Sequence, residues 1–129
     1  RKDDIYVLNS DSLLSSYVPG SETLPGGRNE LLLRNDEVQG GYTAVHPSSG
    51  NPAVTSSGES RGGCVGDFNR DGEDDIFVVN HYGRHEVLLN QCDGKGMFSS
   101  SSTPASDTTD STYRSWACAV ADLDGDGIA

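Results

Sequence analysis

Self-similarity constrains this 129-residue chain more than any other feature. The acidic run Asp67-Phe68-Asn69-Arg70-Asp71-Gly72 returns 55 positions later as Asp122-Leu123-Asp124-Gly125-Asp126-Gly127. The residues ahead of each copy also correspond, Cys64-Val65-Gly66 against Ala119-Val120-Ala121. A second element, Asp74-Asp75-Ile76-Phe77-Val78-Val79-Asn80, has its counterpart in Asp3-Asp4-Ile5-Tyr6-Val7-Leu8-Asn9. A third, Glu86-Val87-Leu88-Leu89, is matched by Glu30-Leu31-Leu32-Leu33, and an aromatic residue, Phe98 or Tyr42, stands twelve positions after each Glu. Three matches in one order define a repeating unit, and such units share a core by stacking on their neighbours.

One unit reads as four short strands. Strand A covers residues 62–68, small and apolar, and leads into the acidic loop. Strand B, residues 75–80, is rich in β-branched and aromatic side chains, which suit a pleated surface. A turn over residues 81–84 leads to strand C at 86–90. Asp93-Gly94 between apolar runs signals a hairpin into strand D near Met97. The first unit differs by a longer connection, residues 10–28, whose Leu13, Leu14, Tyr17 and Val18 are expected to pack a short helical turn on the sheet edge. The domain reading is 1–60 for a first repeat lacking strand A and its loop, 61–114 for a complete repeat, and 115–129 for the start of a third. The expected fold is all-β: tandem four-stranded antiparallel blade-like repeats of β-propeller type, incomplete at both ends.

Residues 43–60 and 99–112 are Ser, Thr, Pro and Gly rich, and such tracts are expected to be solvent loops that bury no core. The second is also an expected site of O-linked sugars, since Ser/Thr density beside Pro is the usual context. The chain begins at Arg1 without an initiator Met, which reads as processing or as a piece of something longer.

Charge excludes one large class of partners. Nine Lys+Arg against twenty Asp+Glu give a formal net charge of -11, which repels a phosphate backbone and argues against nucleic-acid binding. No apolar run approaches the roughly 20 residues a membrane-spanning helix needs. Cys64, Cys92 and Cys118 lack paired metal-ligand spacing, which argues against zinc. In an oxidising compartment they allow one disulfide and one leftover thiol, with three pairings open. His81 and His85 read as exposed turn histidines rather than as a metal or catalytic pair. The carboxylates Asp74 and Asp75 are explained by the neighbouring acidic loop without hydrolase chemistry. Phosphate-loop, nucleophile-elbow and His-Glu-x-x-His motifs are absent from the sequence.

The acidic loop carries the chemistry. Asp67, Asn69 and Asp71 place oxygen donors at every second residue, Gly72 turns the chain, and Asp75 stands ninth. With the carbonyl of Glu73 at the seventh position, these donors can close around one ion. Calcium takes six to eight hard oxygens at about 2.3–2.6 Å in flexible geometry, whereas magnesium demands a stricter octahedron. An EF-hand would need a bidentate Glu at position twelve and flanking helices. Position twelve is Val78, inside a strand-like run, so that reading fails.

The stretch Gly66-Asp67-Phe68-Asn69-Arg70-Asp71-Gly72-Glu73-Asp74-Asp75-Ile76-Phe77-Val78 resembles the calcium-loop signature of FG-GAP/VCBS-type repeats. Glu86-Val87-Leu88-Leu89-Asn90 with Asp93-Gly94-Lys95-Gly96-Met97-Phe98 resembles the second half of that repeat. The resemblance implies β-propeller blades, as in integrin α-chain heads and many secreted or surface proteins. It implies calcium at Asp67, Asn69, Asp71 and Asp75, with Glu73 through its carbonyl, and in the second copy at Asp122, Asp124 and Asp126. That copy departs from the pattern, because the sequence stops at Ala129, one short of the ninth position.

Three functions are compatible with this pattern. The leading one is a non-enzymatic extracellular calcium-binding module with a structural or adhesive role. The second is a subunit of a self-assembling extracellular glycoprotein filament joined head-to-tail by split-blade complementation, residues 5–8 of one copy beside 117–123 of the next. The third is an accessory domain of a carbohydrate-active enzyme. Expected partners are other copies of the chain or neighbouring repeats, with protein or glycan ligands, and no nucleic acid or membrane insertion.

Overall fold

The computed structural model describes residues 4–8, 29–35, 37, 41–55, 60–81, 84–101 and 115–127. These form two antiparallel sheets and very little helix. The first sheet contains β1 (Ile5–Val7), β2 (Glu30–Arg34) and β3 (Tyr42–Ala44), in that order. The second contains β4 (Ser60–Gly66), β5 (Asp75–Asn80), β6 (Glu86–Asn90) and β7 (Phe98–Ser101), also in chain order. Within each sheet every strand pairs with its neighbour in the chain, the commonest arrangement for antiparallel strands. Register in the second sheet sets Val65 opposite Ile76, Ile76 opposite Leu88 and Asn90 opposite Phe98. In the first sheet Tyr6 faces Leu31 and Leu32 faces Ala44.

Strand side chains alternate between faces, and the two faces of the second sheet meet different neighbours. Ile76, Val78, Leu88 and Phe98 point toward the first sheet and share a core with Leu31, Ala53 and Val54; Tyr6, Leu8, Leu33 and Val45 pack around it. A Cβ at Gly63 would lie 2.9 Å from Leu8 Cδ1, so the sheets touch closely here. On the opposite face, a Cβ at Gly62 would lie 2.5 Å from the carbonyl oxygen of Trp116, and one at Gly66 would meet Val120. Residues 115–120 thus run across the far side of β4, and the Cys64–Cys118 disulfide fastens them there. The molecule is layered: first sheet, second sheet, then this segment. A buried polar chain joins the first two layers. Asn29 Nδ2 donates to Ser60 Oγ at 3.1 Å, and Ser60 Oγ donates to Asn80 Oδ1 at 3.0 Å. Each member is satisfied, as low-dielectric burial requires.

Several expectations change. Residues 43–60 are not merely a solvent loop. α1 (Pro52–Thr55) buries Ala53 and Val54 completely in the core, because two adjacent apolar residues suffice to fill the gap between sheets. Asn51 fixes them: its Oδ1 accepts from Ala53 N at 3.1 Å and its Nδ2 donates to the Gly96 carbonyl at 2.7 Å. Strand A starts at Ser60 and ends at Gly66, leaving Phe68 in the loop. Residues 99–101 belong to β7 rather than to a loop; the rest of the Ser/Thr tract lies outside the described residues, as does the 10–28 insertion. His81 is buried, not exposed, with its ring against Trp116 at 4.8 Å between centroids. His85 is half-buried and its Nδ1 accepts from Asn80 N. Residues 117–123 form no strand, since a strand needs a hydrogen-bonding partner and none lies beside them among the described residues.

Candidate metal centre

The loop between β4 and β5 is folded by its own aspartates. Asp67 Oδ1 accepts from Asp71 N at 3.0 Å and Asp67 Oδ2 from Gly72 N at 2.8 Å. Asn69 Oδ1 also accepts from Asp71 N, and Asp71 Oδ1 accepts from Glu73 N at 2.9 Å. Such side-chain-to-backbone turns are the conformations Asp and Asn favour. The Asp71 N–H is shared by the Asp67 and Asn69 oxygens, and Asn69 Nδ2 donates to Asp71 Oδ2 at 2.8 Å. Gly72 closes it with φ +88°, a value costly for any residue bearing a Cβ.

Asp75 occupies a different environment. It is fully buried at the start of β5. Its Oδ2 accepts from Phe68 N at 2.9 Å and its Oδ1 from Asn90 N at 2.8 Å. One carboxylate thus ties the loop to the end of β6. Two backbone donors compensate the burial of its charge.

Residues 122–127 repeat the turn. Asp122 Oδ1 accepts from Gly125 N at 2.6 Å and Asp122 Oδ2 from Gly127 N at 2.7 Å; Asp124 Oδ1 accepts from Asp126 N at 3.3 Å. One carboxylate oxygen from each of Asp122, Asp124 and Asp126 lies within 4.8 Å of the others, all three side chains exposed. The Gly127 N–H is the main reason that the Asp122 carboxyl titrates below the usual range. For Asp71 the main cause is the Glu73 N–H, followed by Asn69. Both carboxylates lie below the usual range and are ionised at neutral pH, so the loops hold concentrated negative charge on oxygen atoms. That chemistry fits a hard divalent cation.

Two further residues touch the first loop. Asn90 supplies the N–H that seats Asp75, a partner fifteen positions away whose role is backbone and therefore leaves no side-chain signature. Cys92 is an exposed free thiol whose Sγ lies 3.6 Å from Asp71 Oδ2. Desolvation, then the charge of Asp71, pushes its pKa up, so it is a poor nucleophile. Glu73 contributes its N–H to the turn.

The described residues thus combine two antiparallel sheets with an acidic turn that occurs twice, at 67–72 and 122–127. Residues 67–129 match the family model of the FG-GAP-like repeat. Repeats of this family are structural and adhesive modules rather than typical catalysts. Neither curated proteins nor solved structures returned a match. No helix among the described residues is long and apolar enough to cross a membrane.

Proposed function

We propose that this chain is an extracellular calcium-binding repeat module with a structural or adhesive role, its sheets serving as blades of propeller type. The carrying observation is the recurrence of one turn, at residues 67–72 and 122–127, closed each time by backbone N–H groups donating to its first aspartate, with three carboxylates converging in the second copy. Asp67, Asn69 and Asp71 would hold the first ion, with the Glu73 carbonyl and Asp75 completing its ligands. Asp122, Asp124 and Asp126 would hold the second. Bound calcium supplies charge neutralisation; the chain supplies turns already closed by backbone hydrogen bonds. Binding to the folded state alone adds to folding stability. Millimolar extracellular calcium suits such sites, and the Cys64–Cys118 bond suits an oxidising compartment. Sugars on the 99–112 hydroxyls belong to the same reading.

Thermal melts test it. Chelation is expected to lower the melting temperature, with calcium restoring it better than magnesium. Asp71→Ala should remove most of the calcium effect at the first loop. A wild-type melt indifferent to chelator would refute the calcium reading.

A second reading, assembly into a filament, is favoured by one observation. β1 pairs with β2 along one edge, and its other edge has no strand partner among the described residues.

A further inference from the structure

The two sheets carry equivalent parts in equivalent places, and among the described residues one place has no strand. Asp75 Oδ1 accepts from the N–H of Asn90 at the end of β6. Its sequence counterpart Asp4 does the same: Asp4 Oδ1 accepts from the N–H of Arg34, the end of β2, at 2.7 Å. Thus β1 and β2 correspond to β5 and β6, and β3 to β7. In the second sheet β4 lies beside β5, and Phe68 N donates to the second oxygen of Asp75. In the first sheet the position beside β1 holds no strand among the described residues, and Asp4 Oδ2 has no donor there. Ile5 is correspondingly 41% exposed, whereas its counterpart Ile76 is 6% exposed.

Residues 115–127 have the complementary character. Their sequence matches β4 and its loop. They lie on the second sheet as a layer, held by Cys64–Cys118, yet pair with no strand among the described residues. Val120 faces β4, as its counterpart Val65 faces the first sheet. Leu123, the counterpart of Phe68, is 94% exposed. The first sheet and this segment lie on opposite faces of the second sheet, so within one chain they cannot meet.

We propose that the segment 115–123 of one copy adds as a strand to the open edge of β1 in a second copy, rebuilding a four-stranded sheet across the boundary. The packing of first sheet on second within one chain would then continue from copy to copy. Register follows from the second sheet, where Val65 pairs with Ile76 and Gly66 with Asp75. Val120 of one copy stands opposite Ile5 of the next, and Ala121 opposite Asp4. The second oxygen of Asp4 then receives the N–H of Leu123, and Asp4 takes the ninth position beside Asp122, Asp124 and Asp126. This last point rests on the calcium reading; the strand pairing does not. A contact between two different surfaces that does not close on itself propagates, and an unpaired strand edge is the usual site of strand addition.

The test is a cross-link in the full chain. Ile5→Cys with Val120→Cys, in a Cys92→Ser background that keeps Cys64 and Cys118, is oxidised gently in millimolar calcium. The expected result is a ladder of covalent multimers on a non-reducing gel. Val7→Cys with Val120→Cys, two positions out of register, should give little. Monomer alone from the first pair, or equal ladders from both, overturns the proposal. Calcium binding by a chain that forms no ladder would sink the pairing and spare the calcium reading. A ladder indifferent to chelator supports the pairing and counts against calcium. Should the double variant fail to fold, sedimentation of the wild-type chain decides: self-association in calcium supports the proposal, and a persistent monomer overturns it.

Discussion

Asp71 and Asp75 belong to one loop and have opposite structural weight. Asp71 is exposed and shapes a turn; Asp75 is fully buried and accepts from two backbone N–H groups on different elements. Replacing Asp75 by Ala leaves those donors without an acceptor, at about 1–3 kcal/mol for each buried group left unsatisfied. Asp75→Ala is therefore expected to destabilise the chain even in chelator, whereas Asp71→Ala should change the chelated melt little. Parallel urea titrations in chelator check this, and equal losses would contradict the division of roles. Both residues were legible in the sequence as oxygen donors at the fifth and ninth positions. The bracket role of Asp75 was not, because its partner Asn90 contributes only a backbone N–H.

The strands followed from local pattern. Residues 75–80 hold a β-branched apolar run and 86–90 a Val-Leu-Leu run, each bounded by turn residues, and the structure begins and ends them there. The short α1 was hidden because composition averages over a window. Ala53 and Val54 are diluted by Ser, Pro and Gly, although they fill the core. Their placement depends on Asn51, fully buried, bonded to Ala53 N and to the Gly96 carbonyl. Asn51→Ala is expected to cost about 1–3 kcal/mol through the lost bonds and the cavity. Leu88→Ala, at the centre of the same core, should cost about 2–5 kcal/mol. Chemical denaturation midpoints measure both. Values within error of wild type for Asn51→Ala would mean that α1 does not hold the sheets together.

At the scale of the molecule, layering explains a cysteine pairing that the sequence left open. The repeat advances by 55 positions, yet the bonded cysteines are 54 apart. Cys118 therefore corresponds to Gly63, not to Cys64. Gly63 faces the first sheet and Cys64 faces away from it. A residue pointing back from one layer meets one pointing forward from the layer before, so a disulfide between stacked layers requires this offset of one. The pairing is set by the layers and not by cysteine spacing. Its consequence is a large constraint on the unfolded chain, since the bond closes a loop of 54 residues. In the chain-entropy account, closure of that length is worth about 4 kcal/mol. Cys64→Ser with Cys118→Ser is expected to lower unfolding stability by about that amount. It should also free residues 115–127 from β4, because the bond fastens this layer. Urea unfolding measures the first effect, and limited proteolysis followed by mass spectrometry locates the second. If cleavage within 115–127 is no faster in the double variant than in wild type, the segment is held by its contacts with Gly62 and Gly66 rather than by the disulfide.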